Sequence, residues 1–364
     1  MNGNTDNYCL ILAGEGPQAV ALQPGRRARS SFLTFFSTGR TLLQQTYDRM
    51  SAFIPSGNIY VSTNRIYTSL VEEQLPELPK ENILSEPIFR NTAPSPAGPL
   101  TAYCTSTGRR GWWWCRLTKA VFKEDEFRRN VVEGLDFVDG NDCILTMGVK
   151  PTRPEPGYGY IQQGTPTRNA DVFKVKSFTE KPDRDFARMF MDSGEFYWNT
   201  GLFLANVGYL GLVLAKILPP VMRRVPNWDG GEYDLDKDME LVKENFPSFP
   251  NMSIEYGVLE GNKNVYVMKC DFGWADLGMW HSIYESMSRG DGDNVVIGSH
   301  VVTEDSRNNI IKMPDDHLAV VNGLDGYIVA EEGNVLLICK KEDSSALVRK
   351  YANDVQVNYG EEFI

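Results

Sequence analysis

Cys9-Leu10-Ile11-Leu12-Ala13-Gly14 is an apolar run of β type that ends in a small residue and a glycine. Such a run, near the start of the chain, reads as the buried first strand of an α/β sheet. Working outward from it, Thr41–Phe53 sets Leu42, Leu43, Thr46, Tyr47 and Met50 at helical spacing. Asn58–Ser62 and Asn82–Leu84 read as short strands with a helix, Asn64–Gln74, between them. A helix at Asp125–Phe137 and a strand at Cys143–Met147 continue the alternation. Strands alternating with helices predict a mostly parallel sheet covered on both faces. In a sheet of that kind a nucleotide sits beyond the carboxyl ends of the strands, here beyond Leu12, Ala13 and Gly14.

From about Gly157 the pattern changes. Tyr158–Gln162 and Val172–Phe178 read as longer strands, followed by a helix at Asp183–Met191 and a strand at Trp198–Ala205. Residues 207–217 and 233–245 read as helices. Beyond Gly292, short β-branched runs recur at Asn294–Ile297, Asn309–Lys312, Leu318–Asn322, Tyr327–Ala330 and Val335–Cys339, separated by Gly, Asn and Asp. Their spacing predicts a small β-rich region of stacked β-coils, closed by a helix at Ser344–Asn353. The domain division expected is 7–290 for the α/β part and 291–364 for the β-rich part.

The chain has 364 residues, enough for one large and one smaller domain, and its 42% apolar and 23% charged content is that of a globular protein. A formal net charge of −11 speaks against a nucleic-acid or anionic-membrane surface, which needs concentrated basic charge. The six Cys lack a CxxC pair and the three His lie far apart, so no zinc or disulfide framework is visible. Met1–Asn7 is polar and too short for a signal peptide, and no apolar run reaches membrane-spanning length. A cytoplasmic protein is expected.

Several collinear stretches resemble the mannose-1-phosphate guanylyltransferases. They are Gly39-Arg40-Thr41-Leu42-Leu43-Gln44-Gln45-Thr46, Glu86-Pro87, Arg90-Asn91-Thr92-Ala93-Pro94, Gly157-Tyr158-Gly159-Tyr160-Ile161, and Phe178-Thr179-Glu180-Lys181-Pro182. Trp198-Asn199-Thr200-Gly201, Ser253-Ile254-Glu255-Tyr256-Gly257 and Asp271-Phe272-Gly273-Trp274-Ala275-Asp276-Leu277-Gly278 complete the set. The resemblance implies a Rossmann-like, GT-A-like nucleotidyltransferase domain with a mostly parallel mixed sheet, followed by a small β-helix-like domain. It implies synthesis of GDP-mannose from GTP and mannose 1-phosphate with Mg²⁺, feeding polysaccharide or glycoconjugate assembly. By the same resemblance Lys181 grips the sugar phosphate, Glu180 and Asn199 read sugar hydroxyls, and Gly159-Tyr160 lets the substrate lie against the backbone. Asp276 is the implied Mg²⁺ ligand, and Glu86 with Asn91-Thr92-Ala93 lies near the guanine. A homodimer is the ordinary assembly for such a protein.

Taken singly, these residues have plainer readings. Glu180-Lys181 before a proline suits a solvated strand end, Asn199 a turn, Asp276 a helix N-cap, and Tyr158 and Tyr160 strand packing. Trp198 and Trp274 read as core.

Two stretches depart from the family. Its loop after the first strand runs roughly G-G-x-G-x-R-[LF]-W-P-[LF]-S-R, then R-P-K-Q-F. Here Gly14-Glu15-Gly16-Pro17-Gln18-Ala19 leads to Ala28-Arg29-Ser30-Ser31-Phe32. The triphosphate Arg falls near Ala19 and the Lys near Ser30. The second metal Asp falls near Thr118, after the run Trp112-Trp113-Trp114. Codons CAG GCT GTG GCC CTT CAG CCG for Gln18–Pro24, read one base later, spell Arg-Leu-Trp-Pro-Phe-Ser-Arg. Three Trp codons read one base earlier after a G spell successive Val, and the following residues can give Val-Ser-Pro-Asp-Gln. Residues 15–31 and 96–119 therefore read as out-of-frame translations. The other reading is a homologue that has lost catalysis and binds nucleotide sugar to regulate an active partner.

Overall fold

The computed structural model describes residues 7–13, 39–88, 90–95, 111–116, 119–223, 240, 244–277, 279–332, 335–342 and 344–360. By its internal contacts the chain forms two compact units. The first comprises Met1–Gly16, Leu43–Leu117 and Val121–Trp274, and the second Pro17–Leu42, Thr118–Ala120 and Ala275–Ile364.

In chain order the first unit carries β1 (Tyr8–Leu12), α1 (Leu42–Ser51), β2 (Ile59–Asn64), α2 (Thr68–Gln74), β3 (Ile83–Glu86) and β4 (Gly111–Arg116). The short β5 (Lys119–Val121) falls mostly to the second unit. In the first unit α3 (Glu124–Asp139), β6 (Ile144–Val149), β7 (Gly159–Pro166) and β8 (Val172–Glu180) follow. The unit ends with α4 (Arg184–Ser193), β9 (Phe196–Asn206), α5 (Val207–Ile217) and β10 (Val265–Cys270). Among the described residues its sheet has nine strands in the order β3-β2-β1-β4-β9-β6-β10-β8-β7. The ladders β1–β2, β2–β3, β1–β4 and β6–β10 are parallel, and β9 runs antiparallel to β4, β6 and β7. This is the mostly parallel mixed sheet expected from the alternation.

β1 is buried throughout, as a central strand covered on both faces must be. Leu10 and Leu12 join Tyr60, Leu84, Ile144, Phe203 and the α5 residues Leu210 and Leu214 in one core cluster. α3 is acidic in its first turn, where carboxylates complement the helix dipole, and buries Phe127, Val131, Leu135 and Val138. Fully burying a side chain of this kind stabilises by roughly 1.5–3 kcal/mol each.

β4, which lies in the second departing stretch, has its backbone between β1 and β9. Trp112, Trp113 and Trp114 stand opposite Tyr8, Cys9 and Leu10. The remainder of 96–119, apart from Lys119, and the whole of 15–31 lie outside the described residues. So does Gly14, and so does the 233–245 helix apart from Glu240, Glu244 and Asn245.

The strand β10 is not among the elements expected above. Val265, Val267 and Met268 are buried, while Tyr266 and Lys269 are only partly so. The run lies between Gly261-Asn262-Lys263-Asn264 and Asp271-Phe272-Gly273, turn signals that suit a strand, but its six residues are too short and too evenly apolar to show a period. The 64–74 helix is shorter than expected, because the Asn64 side chain caps a 3-10 turn over Arg65–Tyr67 before α2 begins.

Gly148 on β6 pairs with Asn199 on β9, where the ladder shifts register. A Cβ there would stand 2.8 Å from both Tyr197 Cβ and Val267 Cγ2. Gly148→Ala is expected to cost roughly 1–3 kcal/mol through overpacking, read as a lower denaturant midpoint at unchanged slope.

β11 (Trp274–Asp276), which falls mostly to the second unit, pairs with β5 as a two-stranded ladder. The second unit continues with α6 (Trp280–Met287), β12 (Val295–Glu304), β13 (Ile310–Asn322), β14 (Tyr327–Glu332), β15 (Val335–Lys340) and α7 (Ser344–Tyr359). β12, β13 and β14 pair in parallel and β15 closes the sheet antiparallel, which accords with a strand-rich C-terminal region. The expected runs at 309–312 and 318–322 are one strand. Pro314 breaks the sequence pattern, but residues 314–317 form no pairs in either ladder, so proline's missing N–H is tolerated. Ile310, Ile328, Leu337 and Cys339 meet Trp280, Ile283, Val348 and Ala352 in this unit's core.

Candidate active site

Beyond the carboxyl ends of β1–β3 the polar side chains converge on one carboxyl group. Glu86, the last residue of β3, is buried, and its Oε1 accepts from Ser62 Oγ at 2.5 Å and from Ser95 Oγ at 2.7 Å. Burial pushes its carboxyl up to about 7, against the lowering effect of the two hydroxyls. Ala13 continues β1: its N–H donates to the Ser62 carbonyl at 2.7 Å, and its carbonyl accepts from Thr63 Oγ1 at 3.3 Å. These bonds hold Leu12 and Ala13 in line with β2.

Asn91 stands at a φ of 61°, a conformation asparagine tolerates better than most residues. Its Oδ1 accepts from the Thr92 N–H at 3.0 Å. Thr92 Oγ1 accepts from the Ile254 N–H at 3.0 Å, and the Ala93 N–H donates to the Met252 carbonyl at 3.0 Å. Two motifs about 160 residues apart in sequence are thereby stitched together. The Thr92 and Ala93 groups act as anchors between these two segments.

A second cluster lies where β7, β8 and β9 meet. Gly159 pairs with Glu180. A Cβ at Gly159 would lie 2.5 Å from Glu180 Oε2 and 3.4 Å from Asn199 Cβ, so the three residues are in contact range. Asn199 Oδ1 receives Thr146 Oγ1 at 3.2 Å and the Gly201 N–H at 3.1 Å, which leaves its NH₂ as the donor it can offer. Lys181 Nζ meets Glu180 Oε1 at 2.8 Å, with both side chains over a third exposed. Lys181 stands at a φ of 48°, held by its N–H on the Tyr158 carbonyl. A residue before proline is normally extended, so this is stored strain of the sort that accumulates at ligand sites.

Tyr160 contributes backbone alone. Its ring is fully buried and its hydroxyl receives the Glu155 N–H at 2.9 Å. Tyr158, Trp198 and Trp274 pack edge to face or tilted, with ring centroids 5.0–6.3 Å apart. Arg153 lies over Tyr158 and Trp198 and beside the buried Glu155. The motifs do not single out this arginine, whose one signal in the sequence is its position just before the Gly157 motif.

In the second unit, Asp276 ends β11 and does not cap a helix, since the N-cap of α6 is Met279. Its Oδ2 is ion-paired with Lys119 Nζ from β5. Among the described residues no group of three or more His, Cys, Asp or Glu could hold a metal ion. A single carboxylate already matched by an ammonium does not make a resident Mg²⁺ site. Among the described residues, too, no helix is long and apolar enough to cross a membrane.

In α/β proteins with a mostly parallel sheet, ligands bind in the crevice beyond the carboxyl ends of the strands, where the polar groups gather here. The sequence profile of the nucleotidyl transferase family matches residues 26–212. The match leaves out β1 and residues 14–25, where the expected triphosphate loop is altered. The mannose-1-phosphate guanylyltransferase of Sinorhizobium fredii (strain NBRC 101917 / NGR234) is 30% identical over 95% of this chain and 67% of its own length. That of Salmonella muenchen is 29% identical over 87% of this chain and 67% of its own. This chain thus spans about two thirds of the length of these relatives. A crystal structure from Thermus thermophilus, described as a mannose-1-phosphate geranyltransferase, shares the fold. Its TM-score is 0.80, over 96% of this chain and 99% of that one, at 24% identity. The chain belongs to the nucleotidyl transferase family, in the branch of the mannose-1-phosphate guanylyltransferases.

Proposed function

We propose that this chain binds GTP and mannose 1-phosphate and joins them as GDP-mannose and diphosphate. The observation that carries the reading is the cluster of Gly159, Glu180, Lys181 and Asn199, which sets a cation and two sugar-reading groups around a glycine-lined approach. A sugar-phosphate oxygen attacks the α-phosphorus of GTP in line, a bond to that oxygen forms, and the bond to the β-phosphate oxygen breaks. Little covalent work falls to the protein, so its part is positioning and charge neutralisation. Lys181 holds the sugar phosphate, Glu180 accepts from a sugar hydroxyl, and the Asn199 amide donates to another. Glu86 accepts from the donor edge of guanine, with Asn91 beside it. The Mg²⁺ the resemblance implies would be carried by the triphosphate oxygens.

A second reading is favoured by a specific asymmetry. The sugar-side motifs match the family pattern, whereas Ala19 and Ser30 stand where the resemblance implies an Arg and a Lys, and Arg26, Arg27 and Arg29 nearby do not match its spacing. A protein that holds nucleotide sugar without turnover would show that asymmetry. Calorimetry with GDP-mannose and diphosphate release from GTP plus mannose 1-phosphate separate the two: binding with turnover supports the enzyme, and binding alone supports the sensor. Under either, Lys181→Ala removes a charge-assisted bond, worth roughly 1.5–3 kcal/mol, and should weaken GDP-mannose about 10- to 100-fold. Unchanged affinity would remove Lys181 from the site.

A further inference from the structure

The pairing of β5 with β11 sets Lys119 beside Asp276. The ammonium lies on Asp276 Oδ2, and the two side chains are only 11% and 16% exposed. Around them Ala120, Leu277 and Trp280 are buried in the apolar core of the second unit. In so dry a setting the attraction is little screened by water or salt. A metal ion seeking Asp276 must displace a cation tethered to the same fold, whose effective concentration far exceeds that of any free ion. Among the described residues no group of three or more His, Cys, Asp or Glu is gathered to hold a metal ion there.

We propose that Lys119 is an internal counter-cation that takes the place of a divalent ion at Asp276, so that this chain excludes free divalent cations from that carboxylate. The inference rests on the reading of Asp276 as the residue a metal would seek. It adds that the chain itself, through Lys119, closes that position. Removing the ammonium takes the matching charge from a mostly buried carboxylate, which is unfavourable and makes it a ligand in want of a cation.

The test is titration of the full chain with Mn²⁺ alone, following the free-ion signal by electron paramagnetic resonance. The wild type is expected to retain no Mn²⁺ in an Asp276-dependent way, so Asp276→Asn changes nothing. Lys119→Met is expected to bind Mn²⁺ about tenfold or more tightly than wild type, and Lys119→Met/Asp276→Asn to lose that gain. Lys119→Arg, which keeps the charge, should exclude the ion as the wild type does. Lys119→Gln stands in should the methionine variant fail to fold. Wild-type binding that Asp276→Asn abolishes would overturn the proposal, as would folded Lys119→Met and Lys119→Gln that gain nothing. No nucleotide enters this titration, so failure to bind GDP-mannose would sink the proposed function while leaving the Mn²⁺ result to be judged by itself.

Discussion

Glu86→Gln is expected to stabilise the ligand-free protein above pH 7 and, under the proposed function, to weaken its binding of guanine nucleotide. Burial raises the Glu86 carboxyl from its ordinary 4.5 to about 7 in the folded chain. A raised acid is a cost to the ionised folded state. Its favourable contribution is complete below pH 4.5 and is lost as pH rises through 7, so stability falls with pH across that window. The gap corresponds to about 3 kcal/mol at pH 8. Glutamine cannot ionise, and its Oε1 still accepts from Ser62 and Ser95, so the variant escapes most of that loss. Thermal unfolding at pH 5 and pH 8 checks this: the wild-type midpoint should drop between the two while that of the variant stays nearly level. Parallel profiles would mean that Glu86 is not the group that titrates. For the ligand the sign reverses. Guanine presents N–H donors on its pairing edge and calls for an anionic acceptor, so guanine nucleotide affinity should rise from pH 6 to pH 8 and be weak and flat in Glu86→Gln.

The other large effect concerns the two departing stretches. Rebuilding 15–31 and 96–119 to the family pattern restores an Arg, a Lys and an Asp around the triphosphate. Each such group contributes through electrostatic stabilisation of the charge that develops in the transition state, and losing one commonly costs about 10²–10³ in rate. The rebuilt chain is therefore expected to release diphosphate from GTP and mannose 1-phosphate at least roughly 10³ times faster than the chain as written. Equal rates in the two would show that those residues are not what limits turnover. If neither turns over while both bind GDP-mannose, the sensor reading takes the lead. The coding DNA bears on the same point: codons that cannot yield the alternative frames would leave divergence as the account.

Much of the α/β unit is legible in the sequence because its signals are local. β1, α1, α3 and β9 each follow from apolar period and flanking residues over roughly ten positions. β10 is harder to read, because a short central strand buried on both faces shows no strict alternation, although Asn264 and Asp271 mark its ends. Pro314 misleads for a related reason. Proline is excluded only where the ladder needs its N–H, and whether it does depends on partners far along the chain. At the site, Glu180, Lys181 and Asn199 can be named from their motifs. The backbone strain at Lys181, the burial of the Tyr160 ring and the Arg153 stacking cannot.

The sequence by itself determined most of the alternation of strands and helices, the family and the residue types available for chemistry, since those rest on short-range pattern and collinear motifs. Only the tertiary structure decided which of those residues stand together and in what charge state. It joins Asn91-Thr92-Ala93 to Met252–Ile254, buries Glu86 under two serines, and sets Lys119 on Asp276 across 157 positions of sequence. Desolvation and ion pairing depend on neighbours in space, and a linear pattern carries no record of them.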